Sequence, residues 1–526
     1  MPTRHVHLGD IIEVLADAVP DRVALITNQT QRTYGELDDR ATRLANHLAG
    51  NGVRAGDHVA VHAMNGAEWP EAFYACFKIR AVPININYKY VENELCHLYK
   101  DSNSVAVIVA PEFLAHVEQV QDALPDLKYT LVLGEPYEKA LAEASPDRNF
   151  GERSEDDHYI VYTGGTTGAP KGVVWRQGDI VYAALNAYRQ GAPIDRVEQL
   201  GEEAAANQSP MRLQMMGPMM HAGSQWAMGS THLAGGTAIL YSLPGFDPHE
   251  VLDLAAKHGA VALNVIGDAM AKLLVDHLAE PGHPEYDLSK LAVFANGGAP
   301  ISHSVRQRLG QVLPGVMLID SYGSSETGTT AVEPDAEKHT APRFRIGPET
   351  TVLSLDRQNC LPGEVGMLAR SGHIPLGYYH DPAKTEEAFC TVDGTRWALS
   401  GDWATIDPDG SITVVGRGSL SINTGGEKVH PEEVEAAITA HDDVLDAAVI
   451  GTYSDIWGEQ VTALVQVREG HHVDVNALKK HCKQFVAGYK VPKEFLFVDV
   501  VPRTEMGKVD YRKSKARAQD LLGLPA

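Results

Sequence analysis

Cysteine is scarce in this chain of 526 residues, and the few that occur are scattered. They form no CxxC pair and have no histidine partner at metal-site spacing. The cysteines are Cys76, Cys96, Cys360, Cys390 and Cys482. This pattern argues against the disulfide framework of a small secreted domain and against a zinc site built on cysteines. We therefore expect free thiols in a reducing compartment.

Long apolar runs are also missing. No stretch approaches the roughly 18 uncharged apolar residues that a membrane-spanning helix needs. The N-terminal segment MPTRHVHLGDIIEVL turns amphipathic at once and lacks the apolar core of a signal peptide. We expect a cytoplasmic protein without a transmembrane segment, and the sequence leaves peripheral membrane contact open.

Positive charge is in deficit over most of the chain. There are 45 Lys and Arg against 69 Asp and Glu, which gives a net charge of -24. This balance argues against a nucleic-acid partner and against a polybasic membrane-surface protein. From Ala477 to the end the sign reverses, with 11 Lys and Arg against 5 Asp and Glu. This basic segment is either a part that meets an anion or a solvated helical face.

The order of the sequence patterns predicts a layered α/β architecture. Arg22–Thr27 is predicted to be a strand, and His58–Met64 and Ser104–Pro111 are typical of buried parallel strands, with helical patterns between them. The chain is too long for one ordinary domain, so about two or three units are expected. The polar stretch Arg189–Arg212 is predicted to be a mobile surface insertion.

A change of pattern near Gly416 predicts a domain boundary. A strand at Ser411–Val415 passes through glycines to a helix start at Pro431, and proline suits the first helical turn. The roughly one hundred residues that follow have strand and helix patterns of their own, enough for a small domain. We predict a large domain over residues 1–418 and a small α+β domain over residues 419–526, with a hinge at about Gly418–Ser421.

The stretch YTGGTTGAPKGVVW, from Tyr162 to Trp175, has the chemistry of a phosphate site. Strand patterns at Tyr159–Thr163 and Gly172–Trp175 flank it, so we expect a loop between two strands. Its glycines can turn backbone N–H groups inward, its threonines add donors, and Lys171 adds a full charge. The pattern G-x-x-x-x-G-K-[ST] opening a helix is absent, which argues against a P-loop. The alternative is a Gly/Thr-rich connector without a ligand.

This stretch resembles the phosphate-loop signature [ST]-G-[GT]-T-G-x-P-K-G of the adenylate-forming enzymes, which include acyl-CoA synthetases, firefly luciferase and peptide-synthetase adenylation domains. Further family motifs follow in the expected order over nearly the whole chain. They are NGGAP (Asn296–Pro300), DSYGSSETG (Asp320–Gly328), SGD (Ser400–Asp402) and PRTEMGKVD (Pro502–Asp510). The resemblance implies an α/β fold, with a large N-terminal adenylate-forming domain of layered subdomains and a small mobile C-terminal domain.

The hinge departs from the usual family pattern G-R-x-K-D-x-I. Here Ser419 and Leu420 stand where the family has Lys and Asp. A smaller actinobacterial group, the steroid side-chain acyl-CoA synthetases, is similar in this segment, in the Y-T-G-G-T-T-G loop and in the P-E-E-V-E helix start. The family's hinge-aspartate role is therefore assigned to no residue of this chain, and the sequence leaves the effect of Ser419 and Leu420 on the hinge open.

The resemblance implies a site for ATP and AMP. Tyr322 would offer its aromatic face to adenine, Ser325 would bind the α-phosphate, and Asp402 would accept both ribose hydroxyls. The implied nucleotide ligands are Thr163, Gly164, Gly165, Thr166, Thr167, Gly168, Lys171, Gly297, Gly298, Ala299, Pro300, Ser321, Tyr322, Gly323, Ser324, Ser325, Asp402, Arg417 and Lys508.

Catalytic roles are implied for Lys508, Thr166, Glu326 and His221. Lys508 would place positive charge beside the attacking carboxylate oxygen and the α-phosphate. Glu326 would hold Mg2+, a cation that takes carboxylate and phosphate oxygens. His221 would gate the entrance of the acyl pocket. The implied coenzyme A contacts are Gly425, Gly426, Glu427 and Lys428.

The implied reaction has two steps. A carboxylic acid and Mg-ATP form an acyl-adenylate, the small domain rotates, and coenzyme A takes the acyl group. A carrier protein as acceptor is the alternative, as is a luciferase-like oxidation. A non-catalytic ATP-binding regulator is disfavoured because Lys171, Glu326 and Lys508 are all present.

The segments expected at the acyl pocket are rich in Met, Ala and Gly. They are Met219–Gly229, Asn264–Ala271, Phe294–Gly297 and Thr327–Val332. Small residues leave room and methionine adapts to irregular shapes, so we predict a bulky hydrophobic acid. A steroid side-chain acid is favoured, and a medium- or long-chain fatty acid comes second. The sequence leaves the oligomeric state open, a homodimer included.

Overall fold

The structure, a computed structural model, describes residues 6–164, 169–189, 191–194, 196–299, 301, 303–333, 343–354, 356–417, 422–429, 431–502 and 509–524. Within these ranges no helix combines the length and the apolar character that a membrane crossing requires. The five cysteines are all free, as the sequence predicts.

Local sequence signals set the helix ends. The Thr33 hydroxyl accepts a hydrogen bond from the Glu36 N–H while the Glu36 carboxylate accepts one from the Thr33 N–H, so a capping box begins the helix Tyr34–Gly50. Gly259 ends another helix in the left-handed conformation. The helices are α1 Leu8–Ala18, α2 Tyr34–Gly50, α3 Glu68–Lys78, α4 Glu92–Asp101, α5 Leu114–Val120, α6 Glu135–Glu143, α7 Gln177–Ala183, α8 Glu198–Ala206, α9 Ala222–Leu233, α10 Pro248–His258, α11 Gly267–Ala279, α12 His303–Val312, α13 Pro382–Ala388, α14 Pro431–Thr439, α15 Val475–Cys482 and α16 Tyr511–Leu522.

An eight-stranded sheet forms the centre of the large domain. Its strands are β1 Val23–Thr27, β2 Gln31–Thr33, β11 Arg212–Met215, β12 Thr237–Leu240, β13 Ala262–Val265, β14 Val293–Gly297, β15 Met317–Ser324 and β16 Gly328–Glu333. Their order is β16-β15-β14-β13-β11-β12-β1-β2. All pairs inside the sheet are parallel, and only the two edge strands pair antiparallel. The carboxyl ends of β11, β13, β14 and β15 therefore meet at one edge of the sheet.

A second, four-stranded sheet is fully parallel. Its strands are β3 His58–His62, β4 Val82–Asn85, β5 Ser104–Val109 and β6 Tyr129–Val132, in the order β4-β3-β5-β6. Both strands that the sequence analysis assigned to a buried parallel sheet, β3 and β5, are adjacent here and largely buried. The layered α/β prediction is confirmed.

Two smaller sheets complete the large domain. One contains β7 His158–Gly164, β8 Pro170–Arg176 and β20 Gly377–Tyr378, with β8 in the middle. The other contains β17 Arg343–Phe344, β18 Thr350–Leu353, β19 Val365–Arg370, β21 Phe389–Val392, β22 Thr395–Ile406 and β23 Ile412–Arg417. Its order is β17-β23-β22-β19-β18, and β21 pairs with β22.

The C-terminal part folds around its own sheet and cores. The strands are β24 Ile422–Thr424, β25 Glu427–Val429, β26 Val444–Ser454, β27 Gly458–Val467 and β28 Glu494–Phe497. Separate hydrophobic clusters lie on this sheet, packed against α14, α15 and α16. A small C-terminal α+β domain is thus confirmed, whereas the hinge Gly418–Ser421 lies outside the described residues and the boundary at 418 stays a prediction.

The predicted insertion at Arg189–Arg212 is wrong in part. A short hairpin of β9 Tyr188–Arg189 and β10 Ala192–Pro193 leads into α8, which packs against α1. Val197, Leu200 and Ala204 repeat at helical spacing and are buried in the largest core cluster. The prediction of a surface insertion rested on the overall polarity of this segment, and the narrow apolar face of α8 lies among polar residues.

A buried ionic network fastens α1 to the domain. The Lys78 ammonium is fully buried, with Nζ 2.7 Å from Glu13 Oε1 and 2.6 Å from Asp38 Oδ1. Burial raises the pKa of Glu13, but hydrogen bonds and charges of Arg153 and Lys78 outweigh it and bring that pKa to about 2. Ionised Glu13 therefore contributes to the stability of the native state.

Candidate active site

A cavity of about 390 Å³ lies where the parallel strands of the eight-stranded sheet end. Its walls come from β13, β14 and β15, from α9, from the β7–β8 hairpin, and from residues 426–428 and 489–490 of the C-terminal domain. Ligands of open α/β sheets bind at the carboxyl ends of the strands. The cavity is therefore the candidate active site.

The structure brings most of the described predicted site residues to this cavity. Those on its wall are Thr163, His221, Gly297, Gly298, Ser321, Tyr322, Gly323, Ser324, Ser325, Gly426, Glu427 and Lys428. Outside the described residues lie Gly165, Thr166, Thr167, Gly168, Pro300 and Lys508. For Arg417 the structure describes the backbone alone, so its predicted role stays a prediction.

Two strands flank the phosphate-loop segment, as predicted, and together they form what we call the phosphate hairpin. β7 and β8 pair antiparallel, with Thr163 opposite Lys171 and Gly164 opposite Pro170. Burial lowers the pKa of Lys171, and the charge of Lys384 lowers it further. Lys171 lies on β8 directly opposite Thr163, which lines the cavity. The hairpin therefore presents positive charge suited to a phosphate.

The glycine turn after β14 is held by one asparagine. Asn296 Nδ2 donates to the Ala299 carbonyl and to Asp320 Oδ1, both at 2.9 Å, and Asn296 Oδ1 accepts from the Gly267 N–H at 2.8 Å. Gly298 has φ of 82°, which favours glycine over residues with a Cβ. The turn is thus rigid and keeps its backbone open to the cavity.

Tyr322 and Asp402 lie far apart in sequence but meet beside the cavity. The Tyr322 hydroxyl donates a hydrogen bond to Asp402 Oδ2. Asp402 is buried on β22, where its N–H donates to Ser400 Oγ at 3.1 Å and its backbone pairs with that of Arg417 on β23. The predicted adenine and ribose ligands therefore belong to one hydrogen-bonded unit.

Glu326 lies just beyond β15, next to the phosphate hairpin. Its Oε1 accepts a hydrogen bond from the Tyr378 hydroxyl at 2.8 Å, and the Trp175 indole N–H of β8 donates to the neighbouring Ser325 carbonyl at 3.0 Å. Within the described ranges no three His, Cys, Asp or Glu side chains form a group that could hold a metal ion. A single carboxylate still suits Mg2+, which is commonly bound by one or two carboxylates, substrate phosphates and water. The donor set thus fits a magnesium ion shared with a nucleotide.

The C-terminal domain reaches the cavity through a glycine pair. Gly425 and Gly426 have φ of 58° and 82°. A Cβ on Gly426 would come within 2.9 Å of Ile266, and one on Gly425 within 2.8 Å of the Trp457 ring. The absence of a side chain at Gly426 therefore permits the close approach of the two domains, whereas Gly425 makes room for Trp457 of its own domain.

Glu427 follows the glycine pair and joins the domains by charge. Its Oε1 lies 2.6 Å from Lys89 Nζ and its Oε2 lies 3.4 Å from His221 Nε2. Burial raises the pKa of Glu427, but the charges and hydrogen bonds of His221 and Lys89 outweigh it and bring that pKa to about 2. An ionised glutamate of the small domain thus holds the predicted gate histidine, which is also the N-cap residue of α9.

A second ionic contact between the domains escaped the sequence analysis. Lys490 Nζ lies 2.5 Å from Glu94 Oε1 of the large domain and 2.8 Å from Glu433 Oε2 of its own domain. The Tyr90 ring lies 4.9 Å from the same ammonium. Lys490, Lys89 and Tyr378 had no signal in the sequence, because isolated lysines and tyrosines are usually solvated or structural.

One face of α9 forms another wall of the cavity, and this helix contacts β7 through the hydrogen bond from the Tyr159 hydroxyl to Gln225 Oε1. Gly223, Trp226, Ala227 and Ser230 recur at helical spacing on the cavity. A Cβ on Gly223 would meet no atom within 4 Å. The prediction of small residues here is supported.

The prediction of methionines on the wall is largely wrong. Met219 and Met228 lie in the hydrophobic core, whereas Met220 does reach the cavity. The same helical period that places Gly223 and Ala227 on the cavity turns Met228 towards the core. Alanine and glycine, not methionine, thus give this wall its shape.

Comparisons with family models agree with this geometry. Residues 12–379 match the model described as AMP-binding enzyme, and residues 433–508 match the AMP-binding enzyme C-terminal domain. The two matches fall on the large and the small domain, respectively.

Curated relatives match over nearly the full length. A 3-oxocholest-4-en-26-oate–CoA ligase from Rhodococcus rhodochrous is 42% identical over 97% of this chain and 95% of its own length. A medium/long-chain-fatty-acid–CoA/3-oxocholest-4-en-26-oate–CoA ligase from Mycolicibacterium smegmatis is also 42% identical, over 97% and 96%.

Solved structures show the same fold. The o-succinylbenzoate CoA synthetase of Bacillus subtilis, bound to a product analogue, is 24% identical, with a TM-score of 0.81 over 96% of this chain and 98% of its own. An amide bond synthetase from Marinactinospora thermotolerans, also 24% identical, has a TM-score of 0.80 over 96% and 99%. At this identity the likeness concerns the fold alone.

Proposed function

The chain belongs to the AMP-binding enzyme family, and from this premise we propose that it is an ATP-dependent acyl-CoA synthetase for hydrophobic carboxylic acids. The observation that carries the proposal is the meeting at one cavity of the phosphate hairpin, the Tyr322–Asp402 unit and the glycine pair of the small domain. This meeting supports sites for a triphosphate, a nucleoside and a third substrate that arrives from the domain boundary.

In the first step, a carboxylate oxygen attacks the α-phosphorus of ATP. The bond from that phosphorus to the oxygen bridging to the β-phosphate breaks, and pyrophosphate leaves with an acyl-adenylate as the other product. Lys171 attracts the outer phosphates, and Tyr322 with Asp402 orients the nucleoside. Magnesium held at Glu326 would neutralise phosphate charge. Lys508 and Thr166 keep their predicted roles at the reacting phosphate.

In the second step, the sulfur of coenzyme A attacks the acyl carbonyl carbon. The bond from that carbon to the phosphate oxygen breaks, the thiol loses its proton, and AMP leaves. Gly426, Glu427 and Lys428 lie on the cavity wall together with Tyr489, and Gly425 precedes them in the chain. Because these implied coenzyme A contacts reach the cavity and Glu427 contacts His221 there, we assign the domain arrangement in this structure to this second step.

The acyl substrate is a bulky hydrophobic acid, either a steroid side-chain acid or a medium- or long-chain fatty acid. Support comes from the names of the relatives and from the cavity face of α9, where Gly223 and Ala227 lie beside Trp226. The two small residues leave space and the indole adds an apolar surface, which together suit an apolar chain or ring. A place in lipid or steroid metabolism, a cytoplasmic location and a homodimer remain predictions.

A substrate panel tests the proposal. Purified protein is given ATP, Mg2+ and acetate, octanoate, palmitate, benzoate or a cholestenoate, and pyrophosphate release is followed with coenzyme A or a carrier protein as acceptor. We expect the highest kcat/KM with palmitate, octanoate or the cholestenoate, and a thioester on coenzyme A. A preference for acetate would refute the substrate class, and thioester formation on the carrier protein alone would refute the acceptor.

A further inference from the structure

Tyr378 contacts two groups of the proposed triphosphate site at once. Its hydroxyl donates to Glu326 Oε1 at 2.8 Å, and the Lys171 Nζ lies 5.7 Å from the centroid of its ring. A phenol can donate a hydrogen bond to a carboxylate through its hydroxyl and can attract an ammonium group to the π face of its ring. One side chain therefore touches both the predicted metal ligand and the phosphate lysine.

The backbone of Tyr378 is fixed to the phosphate hairpin itself. Tyr378 pairs with Val173 of β8, and the adjacent Tyr379 N–H donates to the Gly172 carbonyl at 2.7 Å. The position of the ring thus follows the hairpin that carries Lys171.

Hydrogen bonds from α13 also hold the backbone of Tyr378 in place. The Tyr378 N–H donates to Thr385 Oγ1 at 2.9 Å, and this hydroxyl donates to the Asp381 carbonyl at 2.8 Å. Gly377 has φ of 152°, and a Cβ there would lie 2.4 Å from Thr385. Glycine before Tyr378 is therefore required for the close packing that aims the ring.

The Lys171 ammonium and the Glu326 carboxylate are both contacted by Tyr378, the first by its ring and the second by its hydroxyl. Among the acidic groups that raise the pKa of Lys171, Glu326 acts less strongly than Asp381 and Glu387. If the ammonium and this carboxylate met directly, each would neutralise the other. A ligand that contains both a cation and phosphates requires the Glu326 carboxylate and the Lys171 ammonium to stay separate, because the carboxylate binds the cation and the ammonium binds the phosphates.

We propose that Tyr378 is a positioning residue that keeps Glu326 and Lys171 apart and aligned for a metal–triphosphate ligand. This inference rests on the proposed function and assigns a new residue to its first step. The Tyr378 hydroxyl orients the Glu326 carboxylate, and the Tyr378 ring positions the Lys171 ammonium. Removing the hydroxyl alone therefore affects the metal-dependent part of nucleotide binding.

Calorimetric titration of ATP, without acid or coenzyme A, tests the proposal in buffer with Mg2+ and in buffer with EDTA. For Tyr378→Phe we expect about tenfold weaker ATP binding in Mg2+ and unchanged binding in EDTA, since a charge-assisted hydrogen bond of this kind is lost. For Tyr378→Leu, which also removes the ring, we expect weaker binding in both buffers. Tyr379→Phe, which removes a neighbouring hydroxyl, is the matched control and should match wild type.

A double-mutant cycle separates this role from a structural one. If Tyr378 acts through Glu326, the effect of Tyr378→Phe on the Kd for ATP disappears in a Glu326→Gln background, while the thermal unfolding midpoint stays that of the parent. Equal losses in Mg2+ and EDTA, or additive losses in the cycle, would overturn the inference. Pyrophosphate exchange by the wild-type protein distinguishes failure of this inference from failure of the proposed function. If wild type catalyses exchange and Tyr378→Phe binds ATP as wild type does, the inference alone is refuted. If wild type catalyses no exchange, the proposed function is refuted.

Discussion

Replacing Glu427 by glutamine should separate the two half-reactions. The Glu427 side chain is 7% exposed, whereas its partners Lys89 and His221 are 38% and 35% exposed. Removing one partner of a fully buried ion pair costs about 3–5 kcal/mol, and an exposed pair contributes about 0.2–1 kcal/mol. Because the Glu427 carboxylate is buried and its two partners are only partly exposed, we take an intermediate value of about 1.5 kcal/mol for this contact. The contact brings the glycine pair to the cavity, so its loss corresponds to a roughly tenfold lower rate of the step that needs this arrangement.

The assay measures each half-reaction alone. Pyrophosphate exchange reports adenylation, and single-turnover mixing of enzyme-bound acyl-adenylate with coenzyme A reports thioester formation. We expect Glu427→Gln to slow the thioester step about tenfold and to leave exchange within about twofold, because the contact belongs to one domain arrangement. Glu469→Gln, at an exposed turn, is the control. Equal slowing of both steps, or of neither, would refute this account of the domain contact.

Three further changes test other parts of the account. Lys171→Met should weaken ATP binding roughly tenfold or more in calorimetric titration, since an ammonium–phosphate contact is lost, and an unchanged Kd would contradict its role. Gly223→Leu, which fills open space on α9, should lower kcat/KM for palmitate and cholestenoate at least about tenfold without lowering the thermal midpoint, and an unchanged kcat/KM for both acids would place the acyl group elsewhere. Glu13, with a pKa of about 2 against an ordinary 4.5, stabilises the fold above about pH 4.5 and loses this effect as pH falls towards 2. Glu13→Gln should therefore have a lower thermal unfolding midpoint than wild type at pH 6. Calorimetry should show the difference between the two midpoints narrowing from about pH 5 to 3, and a constant difference would contradict the lowered pKa of Glu13.

Much of the fold could be predicted because its signals are local. Apolar runs of valine, alanine and isoleucine at β3 and β5 predict buried parallel strands, and the patterns on either side of the glycine-rich loop predict strands β7 and β8. The proline at the start of α14 lies where the sequence analysis places it. Helix α8 was missed because its apolar stripe is narrow and its surroundings are polar.

The candidate site could be predicted only where residues belong to a motif. Tyr322 and Asp402 were both expected at the nucleotide, but their hydrogen bond depends on how β15 and β22 meet in space. Tyr378 and Lys490 were missed because their roles come entirely from partners distant in sequence. Tertiary pairing, which no spacing along the chain encodes, supplies these contacts.

A crystal structure grown with ATP, Mg2+ and a hydrophobic acid is the most direct measurement of the central claim. We predict an acyl-adenylate in the cavity, with adenine against Tyr322, the ribose at Asp402 and the acyl group along the Gly223 face of α9. A nucleotide bound away from the β7–β8 hairpin, or an acid left unjoined to AMP beside intact ATP, would contradict the account.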